Sequence, residues 1–101
     1  MSEQWRLRWT EQAIDQLGAI AEYVSRSSPV YAEQLVQRIV SRLEQVVVFP
    51  ASGSVVAEAA SAEVRQVLEW PYRIIYRLVG VDQIHILTVH HAAQKFPSDL
   101  A

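Results

Sequence analysis

The feature that most constrains this fold is a run of alternating apolar and polar residues from 64 to 91. It divides into segments of strand length at 64 to 69, 72 to 79 and 83 to 91. Trp70-Pro71 and Gly80-Val81-Asp82 separate these segments, and both links contain residues that favour turns. Because strands joined by such short links pair antiparallel, the run predicts a three-stranded antiparallel meander.

The residues before this run show helical periodicity instead, after a short first strand at 4 to 9, QWRLRW. Thr10 is suited to cap a first helix that ends near Ser27, and Ser28 is suited to cap a second helix that begins at Pro29. Each helix carries one apolar stripe that needs a sheet to cover. We therefore predict an α+β fold: an N-terminal strand, a two-helix hairpin and the meander, with the helices packed on one face of a twisted antiparallel sheet.

The segment between the second helix and the meander is less regular. Residues 49 to 54, FPASGS, have the composition of a turn. Residues 55 to 63, VVAEAASAE, fit either a loop or a short helix.

Length and composition limit the function classes that this chain can belong to. Its 101 residues, 50% of them hydrophobic, suit a single domain that spans 1 to 101. There is no cysteine, which rules out a disulfide framework and a thiolate metal site. No apolar run is long enough for a signal peptide or a membrane span, so we expect a soluble, cytoplasmic protein. The net charge of −2 argues against direct binding of DNA or RNA by bulk electrostatics.

The segment RIIYR, at 73 to 77, separates into two faces. Arg73, Ile75 and Arg77 point to one side of the predicted strand, and Ile74 and Tyr76 point to the other. The second set is the better core face against the helices. The first set predicts an outer face of the sheet that is both basic and apolar.

Two interpretations of that outer face stay open. Its arginines are solvated residues paired with Glu63 or Glu69, which contributes little to stability at a surface. Alternatively they line a groove where a partner docks, and Arg65 from the preceding strand would then have to converge with them.

The histidines at 85, 90 and 91 do not form a metal motif. No cysteine or carboxylate accompanies them at a defined spacing, so we predict neither a metal site nor a cofactor. His90 and His91 are adjacent in a strand and therefore point to opposite faces. We expect one of them to be packed and the other to be exposed.

The ordered set of segments resembles the ParE/RelE superfamily of bacterial toxins from type II toxin–antitoxin systems. The resemblance covers nearly the whole chain and is carried by AIDQL, SSPVYAEQLVQRI, FPASG, EVRQV, YRIIYR and IHILTVHH. VRQVLEWPYRIIYRL, followed by a strand that ends in histidine, is more similar to the ParE branch than to the RelE branch. The resemblance implies a toxin that is neutralised by a co-expressed antitoxin.

The two branches imply different targets for one fold. ParE-like toxins usually poison DNA gyrase, whereas RelE-like toxins enter the ribosomal A site and cleave mRNA with a cluster of basic residues. Arg73 aligns with a strand arginine of the RelE-like active site. However, Lys95 is the only lysine in the chain, and Ala92 and Ala93 stand where the family commonly has a basic pair. We therefore favour a non-catalytic, ParE-like inhibitor of gyrase that blocks replication.

The favoured hypothesis assigns residues to binding and none to catalysis. The side chains predicted to contact the target or the antitoxin are Arg65, Arg73, Ile75, Arg77, His90 and Lys95. The expected partner is a cognate antitoxin whose flexible C-terminal segment folds across the toxin in a hetero-oligomer. DNA contact would come from the antitoxin and not from this chain, and no membrane contact is expected.

Two alternatives to gyrase inhibition remain. The first is a RelE-like, ribosome-dependent endoribonuclease, for which the candidate catalytic residues are Arg73, His90, His91 and Lys95, together with Glu58 or Glu63. The second is a degenerate member that retains antitoxin binding without toxicity.

Overall fold

The computed structural model describes residues 4 to 97. The elements follow in the order β1 (Arg6–Trp9), α1 (Glu11–Ser25), α2 (Pro29–Val48), a short 3₁₀ turn (Pro50–Ser52), β2 (Ser54–Val55), β3 (Val64–Glu69), β4 (Tyr72–Val79) and β5 (Gln83–His91).

These strands form one sheet in the order β1-β5-β4-β3-β2. β3, β4 and β5 pair antiparallel with the predicted bounds, which confirms the meander. β1 pairs with β5 in parallel, from Arg6 opposite Gln83 to Trp9 opposite Ile86. The sheet is therefore mixed, and the expectation of a wholly antiparallel sheet was wrong. The two-residue strand β2 pairs with β3 and was not predicted.

Side-chain caps define where both helices begin. Thr10 Oγ1 accepts a hydrogen bond from Ala13 N at 3.2 Å and donates one to the carbonyl of Ile86 at 2.8 Å, so it ties the start of α1 to β5. Ser28 Oγ accepts from Tyr31 N at 3.1 Å and starts α2. α1 ends at Ser25, two residues before the predicted end. Within residues 4–97, neither helix combines the length and the apolarity that a membrane span requires.

The helices cover one face of the sheet, as predicted. The buried residues of this main core are Ala13, Leu35, Ile39, Leu43, Val46, Val67, Ile74, Tyr76, Ile84, Ile86 and Val89. Tyr76 also fixes the turn after α2, because its hydroxyl donates to the carbonyl of Pro50 at 2.7 Å and accepts from Gly53 N at 3.0 Å. The turn and the sheet are thus joined by one buried phenol.

The centre of the opposite face of the sheet is also covered, by the chain's own loops. Val56, Val64, Ile75 and Phe96 form a second buried cluster. Val56 belongs to the loop between β2 and β3, and Phe96 to the segment after β5. Ile75 is 0% exposed, so the prediction that it lines an open docking face was wrong. Strand alternation identified its side of the sheet correctly, but it carries no information about which loops fold over that side.

Candidate functional site

Arg73 is the centre of a polar cluster on the sheet face that lies opposite the helices. The strand pairing places it across from His90 on β5 and across from Leu68 on β3. Its Nε donates a hydrogen bond to Gln66 Oε1 at 2.7 Å, and its Nη2 lies 3.7 Å from Glu58 Oε1. Arg73 is only 9% exposed, so protein groups rather than water surround most of its charge.

Phe96 closes this cluster from the side of the C-terminal segment. Its ring centroid lies 5.8 Å from the guanidinium carbon of Arg73, within the range of a cation–π contact. Phe96 is 8% exposed and also belongs to the second core. We refer to Glu58, Gln66, Arg73, His90 and Phe96 as the Arg73 cluster.

His90 is a buried histidine in this cluster, with 7% exposure. Neither of its ring nitrogens has a hydrogen-bond partner among residues 4–97. Burial lowers the pKa of His90 below its ordinary value, and the positive charge of Arg73 lowers it further, while Glu58 acts in the opposite direction. The neutral imidazole is therefore favoured, with one N–H donor and one acceptor nitrogen that are both unpaired.

His91 lies on the other side of the strand, as adjacent strand residues must. It is exposed, and its ring packs edge-on against Tyr72 with centroids 5.8 Å apart. Both residues border an open groove of about 520 Å³. The groove is lined by Gln16, Ala19, Ile20, Tyr23, Tyr72, Val89, His90, His91 and Gln94.

Gln16 on α1 replaces strand pairing where β1 ends. Its Oε1 accepts hydrogen bonds from Val89 N and from Thr88 Oγ1, each at 2.8 Å. β1 pairs with β5 only as far as Ile86, so Gln16 satisfies the β5 edge beyond that point. Sequence reasoning missed this role, because a polar residue on a helix gives no sign of a strand edge 73 positions away.

The other residues predicted to bind a partner do not join the Arg73 cluster. Arg65 lies across from Tyr76, on the helix side of β3, and its guanidinium donates to the carbonyls of Ala51 and Gly53 at 3.2 and 3.0 Å. Arg77 is partly exposed, and Lys95 is exposed. A basic docking groove would require Arg65, Arg73 and Arg77 to converge, and they do not.

The predicted partners of the strand arginines also differ from those observed. Arg73 meets Glu58, whereas Glu69 accepts a hydrogen bond from Arg38 on α2 at 3.2 Å. Glu63 forms no ion pair among residues 4–97. The loop between β2 and β3 folds back over the sheet, and this brings Glu58 to Arg73.

The cluster combines an acid, a cation and an imidazole, which are the groups that RNA cleavage uses for proton transfer and charge stabilisation. Burial limits that chemistry, because Arg73 and His90 are 9% and 7% exposed and the Phe96 ring packs against Arg73. In the described part of the chain, no group of three or more His, Asp or Glu side chains is placed to hold a metal ion.

Comparison with known proteins places this chain in the class of type II toxin–antitoxin toxins. The family described as "ParE toxin of type II toxin-antitoxin system, parDE" matches residues 7–96, which include both helices, the meander and Phe96. The chain belongs to this ParE toxin family. The resemblance inferred from the sequence segments is thereby confirmed.

Individual relatives agree with this assignment. The chain is 34% identical over 95 residues to the putative toxin Y4kP of Sinorhizobium fredii, covering 94% of this chain and 96% of that protein. It is 28% identical over 86 residues to toxin RelE2 of Caulobacter vibrioides, covering 85% and 93%. A solved structure, the chromosomal ParDE toxin–antitoxin system from P. aeruginosa, matches with a TM-score of 0.70 and 28% identity over 89% of this chain and 98% of that one.

Proposed function

We propose that this toxin acts in the cytoplasm by binding DNA gyrase and blocking replication, and that direct binding of a cognate antitoxin neutralises it. The observation that carries the proposal is the closed Arg73 cluster. A nuclease must expose its cationic and proton-transferring groups to a phosphodiester, and here Arg73 and His90 are largely buried, with the Phe96 ring packed against Arg73. A binding inhibitor has no such requirement, because it acts through its outer surface.

The groove beside Tyr72 supports a protein partner. Tyr23, on its rim, is 71% exposed, and Ile20 and Val89 add apolar surface. Exposed aromatic residues next to apolar grooves are typical of protein interfaces. The solved relative is a toxin–antitoxin system, which supports an antitoxin segment as the occupant of a surface on this chain and a hetero-oligomer as its resting state.

Gyrase supercoiling reactions test the proposal. The purified chain is expected to inhibit supercoiling and to accumulate cleaved gyrase–DNA complexes, and the antitoxin is expected to restore activity. Full supercoiling activity at a toxin excess that arrests growth would contradict gyrase as the target.

Tyr23→Ala should weaken antitoxin binding, whereas Val81→Ala, which removes a similarly exposed side chain at the β4–β5 turn, should not.

Ribosome-dependent mRNA cleavage is the second candidate function. It is favoured by the approach of Glu58 and His90 to Arg73, and by similarity to a toxin named RelE2. Primer extension on mRNA from a translating extract would show codon-positioned cuts that disappear in Glu58→Gln. Such cuts without gyrase inhibition would replace the first proposal. Neither effect, combined with tight antitoxin binding, would indicate a member that has lost toxicity.

A further inference from the structure

The guanidinium of Arg73 has more hydrogen-bond donors than its surroundings use. An arginine carries five N–H donors. Among residues 4–97, the hydrogen bond to Gln66 Oε1 engages one of them. The 3.7 Å contact to Glu58 is too long to count as a second hydrogen bond. No nitrogen of Arg73 is among the buried atoms of residues 4–97 that lack a partner, so its remaining donors reach the surface of the cluster, where an incoming acceptor can meet them.

His90 adds unpaired polar atoms at the same place. It lies directly across from Arg73 in the β4–β5 pairing, and neither ring nitrogen has a partner in the described chain. The charged groups that act on it are Arg73 from β4 and Glu58 from the β2–β3 loop. Two neighbouring strands therefore place the unpaired ring nitrogens of His90 next to the cation of Arg73.

Glu58 is loosely held at this position. Its side chain is 49% exposed, it belongs to the loop rather than to a strand, and its contact with Arg73 is long. Because Arg73 is itself largely buried, this carboxylate can leave at low cost only when another carboxylate takes its place. Leu68, which faces Arg73 from β3, is 48% exposed and offers apolar surface beside the same position.

We propose that Arg73 and His90 form a receptor for one carboxylate side chain of a partner protein, and that Glu58 partly fills this place in the free chain. The inference rests on the proposed function for the identity of the partner, the antitoxin, and adds the chemistry of its contact: an aspartate or glutamate next to an apolar residue that packs on Leu68. A carboxylate matches the planar fork of a guanidinium. A phosphodiester is bulkier and would also have to displace Phe96 to bring its flanking nucleotides in.

A small-molecule titration of the full chain tests the receptor without the antitoxin. N-acetyl-glutamate α-amide is the probe, and the ring signals of His90 in a ¹H–¹³C NMR spectrum are the readout. We expect a saturable shift with this probe, none with N-acetyl-glutamine α-amide, and none with dimethyl phosphate at equal concentration. No saturable shift with the carboxylate would overturn the proposal. Tighter saturation by dimethyl phosphate would overturn it in favour of an RNA-binding site.

Two acidic residues of the same loop provide a matched pair of variants. Glu58→Gln should tighten binding of the carboxylate probe by severalfold, because it removes a charge that competes for Arg73. Glu63→Gln removes an exposed charge that is not paired with Arg73 and should leave the affinity unchanged. Weaker binding by Glu58→Gln, or equal effects of both variants, would contradict the proposal that Glu58 partly fills the carboxylate position in the free chain.

Arg73→Lys keeps the charge but removes the planar fork. It should weaken binding by about tenfold, the equivalent of one charge-assisted hydrogen bond. If this variant does not fold, the Glu58→Gln comparison still decides the question. A failed titration with intact gyrase inhibition and antitoxin binding would reject the receptor alone, whereas saturable binding with no effect on gyrase would reject the proposed target alone.

Discussion

At the scale of single residues, His90 makes the stability of this protein dependent on pH. Its folded-state pKa lies below the ordinary 6.5, so the folded chain binds this proton less readily than the unfolded chain does. The stabilisation is complete above pH 6.5 and is lost as the pH falls from 6.5 toward the folded pKa. We expect the urea midpoint to decrease between pH 7.5 and pH 5, and to decrease less in His90→Leu. His91→Gln, at the exposed neighbour, is the control and should keep the full decrease.

Gly53 shows how a single close approach restricts the sequence. A Cβ at this position would clash with the Tyr76 hydroxyl and lie 2.7 Å from the carbonyl oxygen of Gln66, which belongs to the sheet backbone and cannot move aside. Gly53→Ala should therefore destabilise the chain by about 1–3 kcal/mol, the usual cost of overpacking. Gly18→Ala is the matched control, because a Cβ there meets nothing within 4 Å and alanine favours the helix. Equal denaturation midpoints for both variants would contradict this reading of Gly53.

At the scale of elements, local sequence signals correctly predicted the helix starts and the turns, because local interactions determine both. The caps at Thr10 and Ser28, and the turns at 70 to 71 and 80 to 82, lie within a few residues of the structure that they define. The parallel pairing of β1 with β5 joins residues more than 70 positions apart, and no local pattern encodes it. β2 is equally difficult to predict, because its two residues become a strand only when β3 lies beside them.

Gln16 joins α1 to β5, and its substitution tests how much this link between the two elements stabilises the chain. Gln16→Ala would leave Thr88 Oγ1 and Val89 N without an acceptor at the edge of β5. We expect a loss of about 1–3 kcal/mol in the free energy of unfolding, typical of buried polar groups left unpaired. Gln16→Glu retains an acceptor oxygen and should recover part of this loss. Amide hydrogen exchange of Val89 provides a local readout, and unchanged exchange in Gln16→Ala would contradict the role.

At the scale of the whole molecule, the centre of the sheet is covered on both faces, and this decides how the candidate site works. Alternation placed Arg73 and Ile75 on one side, and the matching positions on β3 carry Gln66 and Leu68, so Gln66 could have been found by the same argument. Phe96 could not, because it follows β5 in a segment without periodicity. The sequence predicted an open, basic face, whereas the structure has a small second core there, with Arg73 largely buried beside it.

Phe96 is the residue on which that enclosure depends. Phe96→Ala should lower the free energy of unfolding by about 3–5 kcal/mol, the usual cost of truncating a buried phenylalanine. The matched control is Phe49→Ala, because Phe49 is 69% exposed and its loss should cost less than about 0.5 kcal/mol. Hydrogen exchange should accelerate in residues 56 to 64 more than in α1, since Phe96 packs on the second core and not on the helices. A uniform increase in exchange rate across the chain would show instead that both cores unfold as one unit, and that the second core does not open separately.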